Sequence, residues 1–325
     1  MATLPDQDLT VAAIYASYEA ARAAQPPRGY LGGSELGEEC RRMLWYRFRQ
    51  VELPAFEGRI LRLFETGNLE ERRVISDLRS AGVELLSKDP STGGQWEIVD
   101  CKGHMKGHAD GAAHGVLESP ATWHLFECKS MSEKYYNAMV KHGCEKSKPV
   151  YWAQCQLYMG GLGLKRALFV CVNKNTDAIY IERIKYSAKE YKALIEKANG
   201  IIFSDTPPAR ISDKPDYFKC RYCDMSEICH GKKWPRVNCR TCAHSTPVDD
   251  GLWHCKIKDA CVGSAMPCTS HVFLPTIVAH WAEPIDGDTD WVKYRAGDYE
   301  FVNCAAGAFP GEAVDHYSSE DLRNG

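Results

Sequence analysis

Three charged residues in the middle of the chain have the types and spacing of a site for phosphate chemistry. Asp110 lies in Gly107-His108-Ala109-Asp110-Gly111, and Glu127 and Lys129 end Trp123-His124-Leu125-Phe126-Glu127-Cys128-Lys129. Residues 122 to 128 read as a strand, because aromatic and apolar residues lead up to the acid. Alternation along a strand sends Glu127 and Lys129 to one side and Cys128 to the other, into the core. The Gly-rich turn lets the backbone bend so that Asp110 meets Glu127. Two carboxylates with water suit Mg²⁺, a hard cation that prefers oxygen ligands. Such a cation acidifies water and neutralises charge on a phosphate. Lys129 beside it would orient the nucleophile or offset developing negative charge. These are the parts needed to turn water against a phosphodiester. A Glu-x-Lys triplet by itself is equally what an ordinary surface strand carries.

The elements that must position this set can be read on either side of it. Residues 57 to 81 form a long helix. Segments 83–88 and 95–101 read as strands with a Pro90 to Gly94 turn between them. Residues 150 to 159 form a helix that puts Gln154 and Tyr158 on one face by their i, i+4 spacing, with Gln156 on another. Ala167 to Val172 and Ala178 to Ile184 are strands joined by an Asn173-Lys174-Asn175-Thr176 turn, and Ser187 to Ile202 is a helix. Strands and helices in this order make an α/β fold with a mixed central sheet flanked by helices. Residues 130 to 149 carry Lys134, Lys141, Lys146 and Lys148 and are either a basic loop or helix over the site or a solvated face. Toward the N-terminus, residues 6 to 24 read as a helix ended by Pro26-Pro27-Arg28-Gly29. Ser34 is the expected N-cap of a short helix reaching Cys40. In Arg41 to Arg49, Leu44, Trp45 and Phe48 belong to a core face, while the arginines fit either a surface or a nucleic-acid channel.

Composition sets bounds on this reading. The 325 residues are 44% apolar, enough for a sizeable core, and no apolar run is long enough for a transmembrane helix. The first eight residues are acidic and lack the apolar region of a signal peptide, so a cytoplasmic protein of a bacterium or a phage-infected cell, with no membrane partner, is expected. Fifteen cysteines in such a chain argue for metal or cluster binding rather than disulfides. The net charge is −3, with ten acids against three bases from residue 276 onward, which leaves the remainder mildly basic at +4. A groove can be basic on a neutral protein, so this balance opposes nucleic-acid binding only weakly.

The ordered set Asp110, Glu127-Cys128-Lys129, Gln154-x-x-x-Tyr158 resembles the PD-(D/E)xK nuclease superfamily, and within it the RecB-like branch. The resemblance covers roughly residues 30 to 230 and implies a restriction-endonuclease-like core. It also implies that Asp110, Glu127 and the Cys128 carbonyl hold Mg²⁺ or Mn²⁺, that Lys129 positions water, and that Gln154 and Tyr158 contact the DNA strand. The family carries a further acid or His on an early helix after a Gly. Here Gly67-Asn68-Leu69-Glu70-Glu71 fits, with Glu71 the preferred ligand and Glu70 the alternative.

Two cysteine sets follow. Cys220-Arg221-Tyr222-Cys223 and Cys229 give C-x2-C-x5-C, and Cys40 is the best candidate for a fourth ligand. Several RecB-type nucleases, AddB and CRISPR-associated relatives among them, tie one early Cys to three late ones around a [4Fe–4S] cluster. The resemblance implies that site here, with zinc or free thiols as competing readings because spacing does not fix the metal. It would close a loop of about 180 residues and hold the domain shut. The second set has Cys239-Arg240-Thr241-Cys242, then Cys255, Cys261 and Cys268-Thr269-Ser270-His271, a spacing strong for tetrahedral zinc. Cys239, Cys242, Cys255 and Cys268 are the expected ligands, with His271 as the substitute and Cys261, His244 and His254 weaker.

The expected organisation is a nuclease domain over residues 1–235, a zinc-binding module over 236–275, and an acidic tail over 276–325 with a hairpin of Trp291 to Arg295 and Tyr299 to Val302. The expected function is a metal-dependent DNA nuclease, an exonuclease acting on duplex ends or single strands in recombination or repair, with a recombination protein as a possible partner. Its rivals are a nuclease fold kept as a DNA-end or partner scaffold, and a redox protein built on the clusters.

Overall fold

The computed structural model describes residues 8–263, 268–305 and 314–325. The chain forms two compact units. One comprises residues 1–28, 54–98 and 107–192; the other comprises 29–53, 99–106 and 193–325.

The first unit is built on a five-stranded sheet. Its spatial order is Glu84–Leu86, Gly111–His114, His124–Met131, Arg166–Asn173 and Ile179–Lys185. The middle strand, His124–Met131, is antiparallel to Gly111–His114 and parallel to Arg166–Asn173. The sheet is therefore mixed, as the sequence order of strands and helices predicts. Phe126 and Cys128 turn to one face and pack with Leu168, Val170 and Val172 against Val74 and Ile75 of the long helix Gly58–Ser80. Glu127 and Lys129 necessarily turn to the other face. There the helix Pro149–Gly161 buries every residue from Ala153 to Met159, and Glu133–Ser147 precedes it. The basic stretch 130–149 is thus mostly helical, with a break at Gly143, whose φ is 75°.

The strand Gly111–His114 is absent from the sequence reading, which takes Asp110 as part of a turn. Its residues, Gly-Ala-Ala-His, have little β-propensity of their own; pairing on both sides makes them a strand. Asp110 sits between this strand and Met105–Ala109.

The second unit gathers the segment around Cys40 with the chain after Ala193. Ser34 is not the expected N-cap: it lies inside a single 3₁₀ turn, Gly33–Glu35. Cys40 itself caps the helix Arg41–Phe48, its Sγ accepting from Met43 N at 3.4 Å. Leu44, Trp45 and Phe48 are buried, as their spacing suggests. Three of the four arginines left open by the sequence have protein partners, while Arg41 is exposed. Arg42 bonds Tyr46 and Pro208 O, Arg47 pairs with Glu35 and Asp224, and Arg49 is wholly buried on Ser204 O, Asp205 and Arg240 O. The hairpin strands Trp291–Ala296 and Tyr299–Cys304 form as expected, within a four-stranded sheet with Glu283–Asp288 and Asp315–Tyr317. Tyr294 and Phe301 from it pack around Trp234, so the final segment supplies core as well as acidic surface. Among the described residues no helix is long and apolar enough to cross a membrane.

In the first unit the helix Leu9–Ala23 lies against the start of the long helix. Gly58 makes this approach possible: its N–H donates to Glu19 Oε1 at 2.6 Å, and a Cβ there would overlap the Tyr15 backbone. Backbone cannot rotate away as a side chain can. Gly58→Ala is therefore expected to cost about 1–3 kcal/mol, read as a lowered urea midpoint. An unchanged midpoint would show that the two helices are not held this closely.

Candidate active site

The sheet register brings the acids together. Gly111 pairs with Phe126 and Ala112 with Leu125, so the next position in that register sets Asp110 across from Glu127. Asp110 Oδ2 accepts the Cys128 N–H at 2.8 Å, which locks the carboxylate to the middle strand. Glu127 is fully buried. Its Oε1 accepts from Lys129 Nζ and from Gln154 Nε2, the latter at 2.7 Å. Its Oε2 is buried and has no hydrogen-bond partner among the described residues. Glu71 is half-buried on the long helix, within electrostatic reach of Asp110, Glu127 and Lys129. Glu70 instead stands 3.7 Å from Arg73.

Burial and the charge of Asp110 push the Glu127 carboxyl up to about 8, against the pull of Lys129. The same two causes push Glu71 up to about 7. Burial alone would lower the Lys129 ammonium, but Glu127 and Asp110 outweigh it and hold the charge well above the ordinary lysine range. Asp110, Glu127 and Glu71 influence one another electrostatically with one lysine to oppose them, although they do not stand together as an assembled three-residue metal site among the described residues. Oxygen donors of this kind suit a hard divalent cation in their chemistry.

Gln154 and Tyr158 share a helix face as predicted, but both are buried, and the structure shows what they hold. Gln154 fixes Glu127. Tyr158 is 2% exposed, and its ring packs so closely on Gly107 that a Cβ there would collide with it. A backbone hydrogen bond to His108 ties its hydroxyl to the segment leading into Asp110. Gly107 was legible only as part of a turn; the structure gives it this packing role. Gln156, on the other face, bonds Lys185 O and Ser187 N.

The cysteine sets lie in the second unit. Cys40, Cys220, Cys223 and Cys229 all line one cavity of about 210 Å³, together with Met43, Tyr46 and Met225. Cys239, Cys242, Cys255 and Cys268 all line another of about 280 Å³. Burial raises the thiols of Cys220 and Cys239, and it raises Cys223 and Cys242 to about 11. Backbone N–H groups point at Cys223 and Cys242, the support that metal thiolates receive from their surroundings. No three His, Cys, Asp or Glu side chains among the described residues stand together as an assembled metal site. The expected ligands share cavity walls rather than a formed centre, and their donor chemistry fits soft metals.

His271 does not fit as the substitute ligand. Its Nδ1 bonds Ser319 Oγ at 2.8 Å, and its Nε2 lies 3.2 Å from Asn238 O and 3.3 Å from Thr241 Oγ1. Both nitrogens are taken, and burial lowers the ring to about 4. His244 lines the same cavity with a buried Nε2 that has no partner among the described residues, which makes it the better substitute. Cys261 is exposed and His254 pairs with Asp259.

No protein-family model matches the chain, and no curated protein matches it. Solved structures with a similar fold include SSO0001, 15% identical, covering 70% of this chain and 99% of that one at a TM-score of 0.43. They also include LHK-Exo in complex with dAMP, 15% identical, covering 58% and 90% at 0.40. The alkaline exonuclease LHK-Exo from Laribacter hongkongensis is 16% identical, covering 57% and 90% at 0.39.

The raised acids make a signed prediction. Folding lifts Glu127 from an ordinary 4.5 to about 8, so between those values the folded state binds more protons than the unfolded one. Without divalent cation, stability is therefore greatest near pH 5 and falls as pH rises toward 8. Glu127→Gln flattens this slope, and Mn²⁺ restores stability at pH 8 in the wild type. A wild-type urea midpoint that rises over the same interval would contradict the assignment.

Proposed function

We propose that this protein is a divalent-cation-dependent DNA nuclease of the RecB-like PD-(D/E)xK type, acting preferentially from DNA ends. The observation that carries the reading is the wholly buried Glu127, with one oxygen held by Lys129 and Gln154 and the other bare beside Asp110 and Glu71. A purely structural Glu–Lys pair has no need of two further acids that destabilise it. DNA as substrate, the end-directed mode and a role in recombination or repair follow from the ordered motif set described above; a recombination protein is the partner class that goes with them.

In this reading Asp110, Glu127 and the Cys128 carbonyl hold Mg²⁺ or Mn²⁺, with Glu71 directly or through water. When bound, the cation neutralises phosphate charge and makes water more acidic. Lys129, kept charged by its carboxylate neighbours, orients the attacking water and offsets charge developing on the phosphate. Gln154 fixes the Glu127 carboxylate, and Tyr158 fixes the turn that carries Asp110. The Cys40, Cys220, Cys223 and Cys229 set takes a [4Fe–4S] cluster and the Cys239, Cys242, Cys255 and Cys268 set takes zinc, both as structural staples. Support for them is the shared lining of one cavity by each set.

The test uses protein purified without oxygen and linear DNA labelled at the 5′ or 3′ end, with Mg²⁺, Mn²⁺ or chelator. Cleavage should require the cation and fall by about 100-fold or more in Lys129→Ala, while DNA affinity changes little. Elemental analysis should find about four irons and about one zinc per chain. DNA binding without any cation-dependent cleavage would favour a scaffold over an enzyme.

A further inference from the structure

Residues 218 to 223 run Phe218-Lys219-Cys220-Arg221-Tyr222-Cys223, with aromatic and basic residues alternating around two cysteines. Cys220 is buried, and the short helix Phe218–Arg221 is tied to Tyr217 O through the Cys220 and Arg221 N–H groups. The rings on either side point outward. Phe218 is 62% exposed and Tyr222 is 82% exposed. Each ring is accompanied by a cation: Lys219 Nζ is 5.9 Å from the Phe218 centroid, and Arg221 Cζ is 5.6 Å from that of Tyr222. Tyr217 braces Phe218, with centroids 4.7 Å apart.

The two rings, four residues apart, edge the cavity lined by Cys40, Cys220, Cys223 and Cys229, yet most of each ring's surface is left to solvent, which costs hydration. The acids around them are partly neutralised. Glu39 pairs with Lys219, Asp224 with Arg47, and Asp213 lies 4.0 Å from Arg210, leaving Asp216 in the segment and Glu38 beside Lys219 as the remaining acids. Arg221 is exposed beside its ring. With Lys219 taken up by Glu39, the face offers two π-surfaces and the Arg221 guanidinium, a combination that matches unpaired bases on a phosphate backbone. A duplex hides its base faces and would gain only the charge.

The geometry points to Phe218 and Tyr222, with Arg221, as a stacking surface for single-stranded DNA. The choice of DNA rests on the nuclease reading; the surface itself does not. It gives the protein a hold on an unpaired strand independent of the acids that carry out cleavage.

Anisotropy of a fluorescein-labelled oligo-dT in buffer without divalent cation reads this hold with no turnover. Removing each ring should weaken binding roughly fivefold or more, so the Phe218→Ala/Tyr222→Ala double variant loses most of the affinity. Tyr222→Trp, which keeps a ring, should bind as the wild type does. Arg221→Ala should lower the slope of log affinity against log salt by about 0.7. Blunt duplex binding should stay within about twofold, because stacking contributes little to it. A double-alanine variant with wild-type circular dichroism and metal content and unchanged oligo-dT affinity would overturn the surface. So would a wild type that binds duplex but not oligo-dT. If the wild type fails to cleave yet loses oligo-dT in the double variant, the surface stands and the nuclease reading falls.

Discussion

The first unit depends on one electrostatic constraint: a fully buried glutamate with two other acids in reach and a single lysine to oppose them. Nothing in the strand's own packing calls for Glu127 on that face, where the rest of the sheet buries Phe169 and Cys171. Desolvation and the Asp110 charge work against its ionised form, and Lys129 offsets only part of this. The surrounding elements hold the charges in place. The register of the middle strand sets Asp110 across from Glu127, a backbone N–H pins Asp110, Gln154 pins Glu127, and the Tyr158 ring rests on Gly107. Mutually repelling groups fixed from four directions are an arrangement that recurs at functional sites.

The second unit solves a different problem with charge. Arg49 and Arg240 are both buried beside Trp253, with guanidinium carbons 5.5 and 5.2 Å from its ring. Arg240 donates to Phe48 O and Gly29 O, so backbone carbonyls rather than a carboxylate take up its guanidinium. Because Arg240 lies between Cys239 and Cys242, the second cysteine set is bonded directly to the segment that follows Cys40. These two arginines join stretches of sequence that a linear division at residues 235 and 275 would separate.

The sequence exposed the site more fully than the fold around it. Glu127 and Lys129 share a face by strand alternation alone, whereas Glu71 is singled out only through the family resemblance, and the structure puts it within electrostatic reach of both. The spacing of the cysteines groups them into two sets, and each set lines one cavity without forming an assembled centre among the described residues. What sequence could not give was partner choice. His271 looks like a ligand from its C-x2-H spacing, yet Asn238, Thr241 and Ser319 occupy it, and all three partners lie 30 or more residues away. Gly111–His114 could not be read as a strand because its neighbours supply the stabilisation. Gln154 and Tyr158 were placed on the correct helix face, but burial, which depends on the whole sheet, decides that they brace the acids.

Calorimetric titration of Mn²⁺ into chelator-treated protein at pH 7, repeated in buffers of different ionisation enthalpy, tests the central claim most directly. If Asp110, Glu127 and Glu71 form a cation site, the raised pKa values of Glu127 and Glu71 mean that Mn²⁺ binds with release of protons. Glu127→Gln then loses both the tight binding and the proton release. Binding in the variant equal to the wild type, or wild-type binding with no proton released, would contradict the account.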